Sequence, residues 1–307
     1  MEQYKLADIS TKTMLLSVSF GRMGETRKAP NSLITNGAAS AKVIKISKRL
    51  LESPELTAIR QADVNMRTRL GLLALPYSTS ILLIPNELAE QVTQELEEYG
   101  IYRDGLIDTF IEAYPGLVKD AEIRLTNLAS ELQVPVSQLW VPTEYPSVEE
   151  VRARFTFEWY YFSFSVPEQL KLSGMAEAAQ KKLDDKLEFA ANEIVSMMRG
   201  TLHDMVSHLQ EVLTPGPDGK PKRLHKTAIT NIQGFLDTFK ARNITNDTEL
   251  DAVVEQAKEL LKPDLDIDFL RKDDGLKTEL STGLGKLSEQ LKVLVEITPG
   301  RKFKEID

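Results

Sequence analysis

The chain has no cysteine in 307 residues. That excludes disulfides, thiolate metal sites and a cysteine nucleophile, and it fits a reducing compartment. Histidine is nearly as scarce, with only His203, His208 and His225. The first two are five residues apart, which places them on different faces of a helix and keeps them from sharing a metal. No HExxH or GxSxG motif occurs, so neither a metalloprotease pair nor a nucleophile elbow is nominated. Apolar runs such as Ile81-Leu82-Leu83-Ile84 stop far short of the ~20 residues that span a bilayer. The first residues, Met1-Glu2-Gln3-Tyr4-Lys5, carry no apolar run of signal-peptide length. No fixed-period repeat or low-complexity tract appears. No membrane association and a cytoplasmic location are expected.

What is present is an ordinary globular balance, 42% hydrophobic and 27% charged. A chain of this length can bury a sizeable core without staples and suits one large domain or two smaller ones. The net charge of −8 argues against generic nucleic-acid binding, but it is unevenly spread. Residues 1–75 hold twelve Lys and Arg against six Asp and Glu, a net +6, which leaves −14 on the remainder. Two readings follow: oppositely charged surfaces that meet in an assembly, or a basic face for phosphate. For the second, the candidate contacts are Arg22, Arg27, Lys28, Lys42, Lys45, Lys48 and Arg49.

Periodicity organises the rest. Met14 to Phe20 reads as a strand closed by Gly21. A helix is expected from about Ala38 to Leu51, broken at Ser53-Pro54, with another running to about Leu73. A short strand follows over Ser80 to Ile84 after Leu75-Pro76. Next come helices over Glu87–Tyr99, stopped at Gly100, over Asp104–Tyr114, interrupted at Pro115-Gly116, and over Val118–Leu132. Residues 133–146 hold three prolines and read as a connector. Arg154 to Pro167 is the strongest strand signal. Its largest apolar residues change parity near Tyr160-Tyr161-Phe162, which points to a bulge, burial on both faces or a change of partner. Pairing with Met14–Phe20 is one possibility.

From Glu168 to Leu213 the apolar residues recur at spacings of three and four. Leu183, Leu187, Ile194, Met198, Leu202, Met205 and Leu209 form a candidate stripe for a bundle or an oligomer. Helices are also expected over about 227–242, 248–261 with Asn246 or Asp247 as cap, and 276–295 with a leucine stripe from Leu280 to Leu294.

Other chemistry is thin. Asp264, Asp266 and Asp268 alternate as in a calcium loop, but Phe269 stands where glycine is needed and Gly275 where a bidentate glutamate is needed. Neither Phe20-Gly21-Arg22-Met23-Gly24-Glu25 nor Gly283-Leu284-Gly285-Lys286 completes a phosphate or dinucleotide loop. The aromatic run Phe155 to Phe164, beside Arg152 and Arg154, reads as sheet core or as a platform for single-stranded bases. No catalytic, cofactor-binding or metal-binding residue is nominated.

The sequence from Leu15–Phe20 and Gly21-Arg22 through Arg27-Lys28, Val43–Ser53, Arg67-Thr68-Arg69, Leu75-Pro76 and Ile81–Pro85 resembles domain-of-unknown-function family 3150 of bacteria and phages. The likeness covers roughly residues 10–130. It implies no catalytic residues. It does imply a context near MoxR-type AAA+ ATPases and proteins similar to cobaltochelatase subunits, hence a phage or mobile-element origin and an ATPase-linked role.

The expected architecture is mainly α (α+β): a helical bundle with long helices and a small antiparallel sheet in an N-terminal α+β lobe, residues 1–167, followed by a helical lobe, residues 168–307, with one continuous domain as the alternative. The expected function is non-enzymatic: an oligomeric assembly or adaptor protein, with a homo-oligomer or an AAA+ ATPase as partner and no cofactor. The alternative is a single-strand nucleic-acid-binding protein that uses the basic N-terminal stretch.

Overall fold

The computed structural model of the chain describes residues 6–29, 46–78, 80–164, 175–214, 224–262, 265, 270 and 273–297. The fold is mainly helical with a small antiparallel sheet. A short helix α1 (Leu6–Lys12) leads into β1 (Thr13–Phe20). Buried Thr13 donates its hydroxyl to the Ile9 carbonyl and closes the turn between them. A ribbon of β2 (Thr26–Lys28) and β3 (Ser47–Arg49) follows. Helix α2 (Pro54–Leu73) starts where its chemistry says it should. The Ser53 hydroxyl accepts from the Leu56 N–H at 3.0 Å, Pro54 opens the helix and Glu55 lies in the first turn.

The hairpin β4 (Leu75–Ser78) and β5 (Ile81–Pro85) comes next, its register shifting between Pro76 and Ser78. β5 pairs antiparallel with β1, from Thr13 opposite Pro85 to Ser17 opposite Ile81. Strand β6 (Phe157–Phe162) flanks β1 on its other side, giving the order β4-β5-β1-β6. The aromatic strand therefore does lie beside β1.

Three sequence expectations are corrected. Residues 47–49, placed in a helix over 38–51, are strand β3, because each pairs across the ribbon, Thr26 with Arg49 and Lys28 with Ser47. The helices expected to stop at Gly100 and Pro115 are one 43-residue helix, α3 (Ala89–Glu131), about 65 Å long. At Gly100 a Cβ would stand 3.5 Å from the Phe157 ring, an ordinary van der Waals contact, and the buried face of Leu96, Tyr99, Arg103 and Ile107 continues past it. Pro115 and Gly116 lie on the exposed side, while Phe110, Tyr114, Ala121 and Leu125 stay buried on the other and outweigh the lost backbone bond. Finally, β6 shows no change of parity: Phe157, Trp159 and Tyr161 are half-buried, and Glu158, Tyr160 and Phe162 are exposed.

After α3, two 3-10 turns carry the proline-rich connector to α4 (Val148–Arg152), which Ser147 and Glu150 open with a capping box. Four long helices complete the described chain: α5 (Ala176–Leu213), α6 (Lys226–Arg242), α7 (Thr248–Leu260) and α8 (Asp274–Ile297). The Asp247 carboxylate caps α7 by accepting from the Leu250 N–H. Among the described residues no helix is long and apolar enough to cross a membrane.

Where the sequence reading divides the chain once, near residue 167, contacts group it into two discontinuous units: 1–17, 70–90 and 161–307 in the first, 18–69 and 91–160 in the second. In the first unit α5 packs on α8, α6, β4 and α1. Leu187, Ile194, Met198, Leu202 and Leu209 of its stripe are buried in that core, and Leu183 and Met205 pack against it. Leu280, Leu284, Leu287, Leu291 and Leu294 of α8 meet them there, each worth about 1.5–3 kcal/mol when fully buried. The stripes thus have partners within the chain. Arg199, buried in mid-α5, ties this bundle together. It pairs with Asp247 through two bonds of 2.7 and 2.8 Å, with Glu249 at 2.8 Å, and donates to the Leu294 carbonyl. The second unit has its own core around Leu50, Leu51, Ile59, Ile107, Phe110 and Val151.

Candidate protein-binding site

In the second unit α2 and α3 meet in opposite order. Arg69 forks onto Glu95 with two bonds of 2.8 Å. Asp63, six residues earlier, meets Tyr99 and Arg103. The helices are therefore antiparallel there, with residue numbers across the pair summing to about 164. Hydrogen bonding to Glu95 raises the Arg69 pKa above its ordinary value.

Beneath the pair lies a buried ion network. Asp63 and Arg103 are both fully buried. Asp63 Oδ1 accepts from the Arg103 Nε at 2.8 Å and from the Tyr99 hydroxyl. Arg103 Nη2 donates to the Gly21 carbonyl at 2.7 Å, and Arg22 Nε stands 3.6 Å from Asp63 Oδ2. Burial, then the bond to Asp63, pushes the Tyr99 phenol far above its usual range, so Tyr99 stays protonated and donates to Asp63. Asp63 Oδ2 and Arg103 Nη1 have no hydrogen-bond partner. A pair this deep contributes rigidity more than net stability, because desolvation offsets most of the attraction.

Gly21 must be glycine for this arrangement. Its N–H donates to the Thr156 carbonyl at 2.7 Å, and a Cβ would stand 2.3 Å from the Thr156 hydroxyl and 2.8 Å from the Arg154 carbonyl oxygen. Phe20, Tyr99 and Phe157 stack edge-on or tilted around it, with centroids 5.2–6.0 Å apart. Arg67 lies 4.2 Å over the Phe20 ring.

Above the network the two helices leave a shallow apolar depression lined by Ala58, Ala62, Met66, Tyr99 and Tyr102, with Gln61, Asn65 and Arg69 at its rim. Tyr102 in its lining is 59% exposed, and elsewhere on the two helices Ile101 is 77% and Val64 47% exposed. The arrangement can hold an apolar surface of another macromolecule. Asp63 and Arg103 are turned inward and occupied with each other.

The residues nominated from sequence fall as follows. Register brings Arg27 opposite Lys48 and places Lys28 and Arg49 at the ends of the β2–β3 ribbon. Lys28 and Arg49 are exposed, Arg27 is half-buried and bonds the Thr26 carbonyl, and Arg22 is drawn toward Asp63. Lys48 is not available to a partner. It is buried, donates to the Leu139 carbonyl and pairs with Glu144. Lys42, Lys45, Asp264, Asp266 and Asp268 lie outside the described residues. His203 bonds only Asp204 and Ser207 on its own helix, and His208 and His225 are exposed. Among the described residues no group of three or more acidic or histidine side chains could hold a metal ion. The second unit, which contains the basic candidates, carries 15 Lys and Arg against 17 Asp and Glu, a net −2.

Sequence reasoning missed Val64, Ile101 and Tyr102, because an exposed apolar residue on a helix reads as core. One signal was present. Arg60, Val64 and Arg67 on α2, and Glu97, Ile101 and Asp104 on α3, repeat one pattern: an apolar residue with a like-charged pair at i−4 and i+3. No family model matches the chain, and neither a curated protein nor a solved structure is significantly similar to it.

Proposed function

We propose that the protein is a non-enzymatic adaptor or assembly protein that works in the cytoplasm by docking other proteins on the α2/α3 face of its second unit. The observation that carries this reading is an apolar depression lined by Ala58, Ala62, Met66 and the exposed Tyr102, set over the buried Asp63–Arg103 pair. Contiguous apolar surface on a rigid element marks interaction sites. The resemblance over residues 10–130 supplies one partner, a MoxR-type AAA+ ATPase, and with it a phage or mobile-element origin.

The test is calorimetric titration of a purified MoxR-type ATPase into the protein and into its Ala58→Glu and Tyr102→Glu variants. Binding by the parent that both variants lose by tenfold or more supports the reading. Equal binding by parent and variants removes this face from the function. Single-strand nucleic-acid binding is disfavoured by the net −2 of the second unit and by the burial of Lys48 against Glu144. Oligonucleotide binding that weakens steeply with salt and is lost on charge reversal at Lys28 and Arg49 would reverse that judgement.

A further inference from the structure

We draw no further inference here: the strongest candidate, the surface patch on the outward side of α3 where the exposed Ile101 stands between Glu97 and Asp104, carries nothing because it is an acidic helix face and nothing in the structure shows what covers it.

Discussion

Replacing Asp63 with alanine leaves Arg103 charged, fully buried and held only by its bond to the Gly21 carbonyl. Breaking one side of a buried pair costs about 3–5 kcal/mol, because the remaining charge stays desolvated. Tyr99 loses its acceptor as well, at about 1–3 kcal/mol for a buried unsatisfied donor. The two costs overlap, so the expected destabilisation is about 4–5 kcal/mol, a large share of the ~5–15 kcal/mol that holds most domains together. The assay follows from composition. Both tryptophans of the chain, Trp140 and Trp159, lie in the second unit, so tryptophan emission during urea unfolding reports on that unit, while circular dichroism at 222 nm reports on both. The emission midpoint should fall sharply in Asp63→Ala, and the dichroism of the first unit's helices should follow its own, little-changed midpoint. The double variant Asp63→Leu/Arg103→Met, which removes both charges and keeps the volume, should be more stable than either single variant. A loss below about 1 kcal/mol in Asp63→Ala, or a double variant as unstable as the sum of its parts, would refute the claim that this pair is buried and coupled.

Four further outcomes are expected. Arg199→Met in the first unit should cost about 3–5 kcal/mol by stranding Asp247, seen as a lower dichroism midpoint with tryptophan emission unchanged. Arg242 is buried with no carboxylate beside it among the described residues, bonded only to the Gly71 and Ala74 carbonyls at 3.3 and 3.5 Å, and burial pushes its guanidinium down to about 10. Its folded pKa lies below the unfolded value, so above pH 10 the unfolded chain binds more protons and stability rises with pH until the unfolded guanidinium also titrates. Arg242→Met should therefore be neutral or stabilising at pH 7, with its advantage over the parent shrinking above pH 10 in urea titrations. Gly21→Ala should cost about 1–3 kcal/mol by the emission midpoint, since the colliding atoms include the Arg154 carbonyl oxygen and the Thr156 backbone nitrogen. Lys48→Met should destabilise the second unit by about 1–3 kcal/mol, and an equal effect on oligonucleotide binding and folding would mark Lys48 as structural rather than a phosphate contact.

Much of the secondary structure was legible in the residues because its signals are local. The stripes of α5 and α8 repeat at helical spacing over long stretches, and such periodicity survives whatever packs against it. Ser53-Pro54-Glu55 and Asp247 announce the starts of α2 and α7 because a cap bonds within its own turn. Tertiary contact decided the rest. Gly100 and Pro115 read as stops by propensity, yet α3 passes through both, since one buried face continues past each of them. Ser47–Arg49 is a strand only because residues 26–28 lie alongside to pair with it. Lys48 resembled a surface charge until Glu144 and the Leu139 carbonyl enclosed it from ninety-odd positions away. Asp63 and Arg103, 40 residues apart, carry no mark of their pairing in the chain. The same holds for the candidate site. Whether Ile101 belongs to a core or to a surface depends on what lies opposite α3, and that is a property of the folded chain rather than of the residue. By itself the sequence determined where helices could form and which faces were apolar, because those depend on neighbours within a turn or two. The tertiary structure alone decided which apolar faces were consumed within the chain and which side chains, such as Tyr102, were left at the surface.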